Sequence, residues 1–382
     1  MPSPSRVIIV LATYQGADHL PAQIASLQRQ NWTDWRLLVR DDGSTDGTIP
    51  ILRAAAAEDR RIEILCDSRR RLGVSGNFGA LLSAARSREA EFVFCCDQDD
   101  VWHPEKVERQ LTHLRAVQST LPDGMPILGH CDVQPVGPNL EPLGRSLVEQ
   151  LGGLPSGADQ LPRLLTSNFV TGCTMVLNRE LLELVTPLPH EVVLHDWWCA
   201  LCAVLLGRIA FLPEPLLRYR QHGGNVIGGP AAAGWIKRCR TIPRRVRRFA
   251  NNLTAAVNQL QAAQRRIDEY LADPDPLDLS RPYPTEPPVT GRRRCLGQRE
   301  EAHCKQLKQF LLTMADRPSN WSRFTRVRAA LSEQQTHGLK WSIRNLLACF
   351  LLAMQSPRPG LMLSAASEPS TDPRVSTWSR AA

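Results

Sequence analysis

The run Asp97-Gln98-Asp99-Asp100 concentrates three carboxylates within four positions. In an extended segment residues i and i+2 point the same way, so Asp97 and Asp99 are expected to face one spot. Two convergent carboxylates with open positions suit a hard divalent cation, Mg2+ or Mn2+, which also takes phosphate oxygens. Such an ion neutralises charge gathering on a departing diphosphate. Alone, three acids fit a solvated loop better. The apolar run before them and Val101-Trp102-His103-Pro104 after them favour a site.

Three other clusters complement this one. Asp42, preceding Gly43 and Ser44, can accept the imide N–H of uracil or thymine, and Tyr14 can stack on the same base. The competing reading of Asp41-Asp42-Gly43-Ser44 is an ordinary Asx-type turn. His195-Asp196-Trp197-Trp198 brings a carboxylate beside aromatic rings, the combination that covers the apolar face of a pyranose and takes a hydroxyl proton. Asp196 is the candidate general base there; a helix N-cap beside core tryptophans is the alternative. Arg218-Tyr219-Arg220-Gln221-His222 offers His222 to a metal and Arg218 or Arg220 to a diphosphate, unless it is a solvated basic loop.

These clusters need elements to hold them. Residues 7–12 and 91–96 are continuous apolar runs, as in strands buried on both faces, and 36–40 and 61–66 read as two more strands. Ala17, Leu20, Ile24 and Leu27 recur at helical spacing, Thr48 is placed to cap a helix, and 77–86 is helical. Strand–helix alternation predicts a mostly parallel α/β sheet with helices on both faces. Ligands of such sheets bind beyond the carboxyl ends of strands, where the Tyr14, Asp42 and Asp97 clusters all fall. Further on, 121–160 reads as Pro/Gly-rich loop, 170–177 as a strand, 196–206 as a helix and 208–212 as a strand.

Charge divides the chain. Residues 1–230 carry 21 Lys+Arg against 26 Asp+Glu, whereas residues 231–382 carry 25 against 12. The expected organisation is therefore a catalytic domain at 1–230, a basic helical region at 231–354 with a Pro-rich linker near 272–291, and a disordered tail at 355–382. A basic extension seeks phosphate, and anionic membrane is the expected contact; nucleic acid is not, for want of interleaved aromatics or a known motif. Ordinary solvated helices completing the domain are an equal alternative. No run approaches the ~20 apolar residues of a membrane span, and no secretory leader is apparent. Eleven scattered cysteines suit a reducing compartment, and Cys199 and Cys202 read as helix core.

The segments VIIVLATYQGADHLPAQIASLQRQ, VRDDGSTDGT, GNFGALL, CDQDDVWHPEKV, NFVTGCTMVLNREL, HDWW and YRQHGGNVIG, in this order over about residues 6–228, resemble glycosyltransferase family 2, and within it the bacterial rhamnosyltransferase-like members. The resemblance implies a GT-A-type nucleotide-diphospho-sugar transferase fold, a divalent cation and inversion at the anomeric carbon. It implies Asp97 and Asp99 as the metal-binding pair with His222 as a further metal or diphosphate contact, and Asp196 as the base. Tyr14 and Asp42 are implied at the nucleotide base. With Thr13, Asn77, Asp97, Gly172 and Arg220 they form the expected nucleotide-sugar contacts. Asn77 stands in an element that departs from the family's usual form. The expected acceptor is a saccharide or lipid-linked saccharide of cell-surface polysaccharide synthesis. The expected location is the cytoplasm, peripheral on the inner face of the plasma membrane. Two rival readings stand beside this one. A sugar-nucleotide pyrophosphorylase would show a Gly-rich basic loop after the first strand, where this chain has TYQGADH. A non-catalytic carbohydrate-binding or assembly protein would not need intact DQDD and HDWW clusters.

Overall fold

The computed structural model describes residues 6–221 except 67–70, 158–159, 165–166 and 191, together with Gln259, Ala262, Arg265 and Arg266. Its strands are β1 (Val7–Thr13), β2 (Arg36–Asp41), β3 (Ile62–Ile64), β4 (Phe92–Cys96), β5 (Val101–Trp102), β6 (Ile127–Val136), β7 (Met175–Asn178) and β8 (Arg208–Arg220). They form one sheet in the order β3-β2-β1-β4-β7-β6-β8-β5. β3, β2, β1 and β4 run parallel. β7 lies antiparallel between β4 and β6, β6 pairs parallel with β8, and β5 closes the edge antiparallel to β8.

The apolar runs that predict strands without alternation do so because helices cover both faces. Ile8, Val10, Leu38 and Val93 share one core with α3 (Gly73–Ser87), α7 (Arg179–Val185) and α8 (His195–Leu206). Their neighbours Val7, Ile9, Leu11, Leu37 and Val39 share the other with α1 (Leu20–Gln28), α2 (Thr48–Glu58) and α4 (Lys106–Gln118). Among the described residues, no helix is long and apolar enough to cross a membrane.

Several expectations are corrected. Residues 121–160 are not all loop. They hold β6, almost entirely buried, and α5 (Leu147–Leu151), followed by α6 (Gln160–Leu164). The polar residues that hide β6 in the sequence are satisfied locally: the Asp132 carboxylate accepts N–H groups of Val133 (2.7 Å) and Val148 (3.1 Å), tying the strand to α5. The strand expected at 170–177 is Met175–Asn178 alone, preceded by a 3-10 turn, Gly172–Thr174. The strand expected at 208–212 extends to Arg220. Gly47 rather than Thr48 is the N-cap of α2. The Thr48 hydroxyl instead bridges two loops, donating to Asp46 (2.6 Å) and accepting from the Gly16 N–H (2.8 Å).

The linker at 272–291, the tail at 355–382 and most of 231–354 lie outside the described residues. The four described positions beyond 221 are helical. Ala262 is buried in the core that holds α8, and Arg266 donates to the Pro187 carbonyl (2.7 Å).

Candidate active site

At the ends of β1 and β2, side chains are cross-bonded into a frame. The Thr13 hydroxyl donates to Asp41 (2.9 Å), whose carboxylate also accepts N–H groups of Gly43 (2.9 Å) and Ser44 (2.7 Å). Gly43, at φ +92°, occupies the left-handed region this turn requires. Asp42 is buried and accepts three bonds: from Arg40 (2.9 Å) and the Leu72 N–H (2.7 Å) on Oδ1, and from the Gly73 N–H (2.8 Å) on Oδ2. A carboxylate has about four acceptor positions, so most of its capacity is taken within the protein. Arg40 also donates to the Asn77 carbonyl oxygen (3.0 Å), and Asn77 returns a bond to the Arg40 backbone carbonyl (3.1 Å). Asn77 thus holds the Arg40–Asp42 pair. The Arg71 guanidinium covers one face of the Tyr14 ring, 4.5 Å from its centre.

Asp97 to Asp100 is not extended, as the spacing argument assumed; Gln98 and Asp99 form a turn just after β4. The turn brings Asp97 together with Asp100 and Cys173, whose ligating atoms all lie within 4.8 Å of one another. Asp99 lies close enough that its charge raises the pKa of both neighbours, and its backbone carbonyl accepts from Arg220 Nε (2.8 Å). Arg220, expected to contact the diphosphate, with a solvated basic loop as the alternative, is the buried last residue of β8. Another guanidinium bond goes to the Pro138 carbonyl, and its N–H donates to Asp100 Oδ1 (3.1 Å). It holds the acidic turn in place.

Gln98 was left without a role by sequence reasoning. Its side-chain amide bonds Tyr14 twice, accepting from the Tyr14 N–H (2.9 Å) and donating to the Tyr14 carbonyl (2.9 Å). The acidic turn and the Tyr14 loop are thereby one unit. A Cβ on Gly16 would sit 2.2 Å from Gln98 Oε1 and displace this amide. Arg40, Gln98, Asp100 and Cys173 are the site-building residues the sequence reading missed. Only Asp100 carried a visible signal, as the extra acid of its cluster.

Asp196 lies in the first turn of α8 and is buried, accepting from the Trp197 N–H (2.6 Å). Burial pushes its carboxyl up to about 7, against the opposing effect of N–H donors that include Gly172. Asp97 is also pushed up to about 7, by burial first, then by the charges of Asp99 and Asp196. Asp100 is raised by burial, Asp99 and Asp97. The tryptophans expected to cover a sugar do not do so. Trp197 and Trp198 are core residues, with indole N–H groups bonded to the carbonyls of Leu164 (2.8 Å) and Val185 (3.1 Å). The helix start buries one aromatic cluster and leaves the acid at the edge. Cys199 and Cys202 are buried free thiols of α8, as expected. At Gly172, a Cβ would lie 3.0 Å from His195 Nε2 and 3.7 Å from the Asp196 Cβ, so the close approach there is to the start of α8. His195 stacks on Phe78 at 3.8 Å, and burial pushes its imidazole down to about 3. His222 lies outside the described residues.

The acidic cluster fits a divalent cation. Two of its three donors are hard carboxylate oxygens and the third is the Cys173 thiol, and Asp100 Oδ2 is buried with no hydrogen bond among the described residues. Chemically, the edge therefore offers a cation site, a buried base with a pKa near neutrality, and a bonded frame at β1 and β2.

Residues 8–184 match the family model described as Glycosyl transferase family 2. An uncharacterized glycosyltransferase of Nostoc sp., alr2836, is 25% identical over 58% of this chain and 66% of its own length. WfgD of Escherichia coli, a UDP-Glc:alpha-D-GlcNAc-diphosphoundecaprenol beta-1,3-glucosyltransferase, is 30% identical over 28% of this chain and 40% of its own. RfbG of Shigella flexneri, a dTDP-rhamnosyl transferase, is 24% identical over 57% of this chain and 73% of its own. The matched stretch thus spans less than two thirds of the first two of these relatives.

Proposed function

We propose that the chain belongs to glycosyl transferase family 2, whose model matches residues 8–184, and that it is a metal-dependent, inverting hexosyltransferase built on a mixed sheet of GT-A type. It moves a sugar from a nucleoside diphosphate to a hydroxyl of a saccharide or lipid-linked saccharide in cell-surface polysaccharide synthesis. Rhamnose from its dTDP donor is the favoured sugar, on similarity to the Shigella transferase named for it. A lipid-linked acceptor is favoured by the relative named for a diphosphoundecaprenol substrate and by the basic residues of 231–354, which would rest on anionic lipid at the cytoplasmic face.

The observation that supports this reading is that Asp196, far from Asp97 in sequence, lies near enough for its charge to raise the Asp97 carboxyl, beside the cluster Asp97 forms with Asp100 and Cys173. Asp97 and Asp99, with His222, would hold Mg2+ or Mn2+, which when bound neutralises charge on the departing diphosphate. Asp196 takes the proton of the acceptor hydroxyl; a carboxylate with a pKa near neutrality is matched to that task. The acceptor oxygen then attacks from the face opposite the diphosphate, inverting the anomeric carbon. The bonded frame at Thr13, Asp42 and Asn77 shapes the seat of the nucleotide beside Tyr14. Gly172 keeps the backbone close to Asp196. Arg220 fixes the acidic turn against β8.

The test is diphosphate release by the full chain from a panel of nucleotide sugars with Mn2+ and a lipid-linked saccharide mixture. Release from one donor, abolished by chelation, is expected. Binding of nucleotide with no turnover of any donor would favour the non-catalytic reading instead.

A further inference from the structure

Cys173 is the central residue of a rigid 3-10 turn: the Thr174 N–H (2.9 Å) and hydroxyl (2.6 Å) both bond the Thr171 carbonyl, and Gln110 donates to the Thr174 carbonyl (2.8 Å). The turn sets the thiol against Asp97 and Asp100, with the three ligating atoms within 4.8 Å of one another. Asp100 is fully buried, and its Oδ2 finds no hydrogen bond among the described residues. The neighbouring thiol is at best a weak donor for that oxygen. A buried carboxylate oxygen without a partner is costly to maintain, so its presence beside a thiol and a second acid asks what else satisfies it. Asp97 is partly exposed and gives the cluster its opening to solvent.

We infer that Asp97, Asp100 and Cys173 form a mixed carboxylate–thiolate site that binds a thiophilic divalent cation, Zn2+ or Cd2+, beneath the acidic turn. Tetrahedral Zn2+ places oxygens at about 2.0–2.2 Å and sulfur at about 2.3 Å, and three donors within 4.8 Å of one another could close on one such ion. Soft thiolate selects Zn2+ and its heavier analogue over Mg2+ or Mn2+. On binding, the Cys173 S–H bond breaks, a sulfur–metal bond forms and the proton passes to solvent. Because Asp97 belongs to both sites, a thiophilic ion and the hard ion of the transferase reaction exclude one another. The site borders the machinery of the proposed function, yet its occupancy requires no sugar transfer.

The test is titration of the full chain with Cd2+, read by the ultraviolet charge-transfer absorbance of a cadmium–thiolate bond, in a background with Cys66, exposed among the described residues, and Cys239, Cys295, Cys304 and Cys349, outside them, all changed to Ser. One equivalent of absorbance is expected, lost in Cys173→Ala. Asp100→Asn should weaken Cd2+ by at least about tenfold, the least that loss of a supporting group costs a metal site. Excess Mn2+ should compete with Cd2+ in the unaltered protein. Absorbance that persists in Cys173→Ala overturns the assignment. So does a cadmium NMR shift of the unaltered protein showing oxygen ligands alone, a measurement that needs no variant to fold. Turnover without Cd2+ binding would sink this site and leave the transferase reading standing; Cd2+ binding without turnover would do the reverse.

Discussion

At the ends of β1 and β2, Thr13, Arg40, Asp41, Asp42 and Asn77 all have partners within the protein, most of them from another element. Across the same end of the sheet, Asp97, Asp100 and Asp196 all have carboxyls raised first by burial, Asp97 also by Asp99 and Asp196, and Asp100 also by Asp99 and Asp97. The first region is complete before anything binds. The second holds an electrostatic debt that a cation would relieve. Preorganisation and unmet charge thus occupy neighbouring strands; under the proposed function, the first would shape a seat and the second would do chemistry.

The sharpest way to break the comparison is Asp196→Asn. It should lower kcat by about 10²–10⁴-fold, the worth of a positioned base, while nucleotide affinity measured by calorimetry stays unchanged. Retained turnover would remove Asp196 from that role. Next in size, Arg40→Met should destabilise the fold by about 3–5 kcal/mol in urea denaturation, since it strands Asp42 as a buried charge. A loss under about 1 kcal/mol would mean the frame is no more rigid than its neighbour.

The acidic side should show itself through pH. Asp97 and Asp196 have raised pKa values, so their contribution to stability is complete below the ordinary carboxylate value of 3.8 and is lost as pH rises through about 7. In chelator, Tm should therefore fall between about pH 4 and pH 7, and Mn2+ at a hundred times its Kd should restore about 2.7 kcal/mol at the higher pH. A flat Tm profile would contradict the crowding. The smallest effect belongs to the seam between the regions. Gln98→Leu removes both bonds to Tyr14 and should cost about 1–3 kcal/mol, with a raised KM for the donor and little change in kcat.

How much of this the sequence discloses follows the same division. β1, β2 and β4 are legible because burial on both faces writes an unbroken apolar run, and the clusters that follow them inherit their place. β6 is not legible, because His130, Asp132 and Pro135 interrupt it and their burial is set by strands and helices distant in sequence. The acidic turn was placed at the right strand end but with the wrong geometry: periodicity supplies direction only while the chain stays extended. Gln98, Arg40 and Cys173 take their roles from partners 84, 37 and 73 or more positions away, which no local spacing encodes. Trp197 and Trp198 mislead for the opposite reason, since an aromatic next to an acid looks the same whether it faces a ligand or the interior.

Ala262 sits in the interior alongside α8, and Arg266 clasps the carbonyl of Pro187. A fragment ending near residue 230 would thus lose more than its cationic extension: it would lose a plug from the core that holds the helix carrying Asp196. Any drop in vesicle affinity or turnover in such a fragment would mix removed charge with a loosened interior. Neutralising the arginines of 238–248 in the intact chain separates the two, because it removes charge while leaving that plug seated.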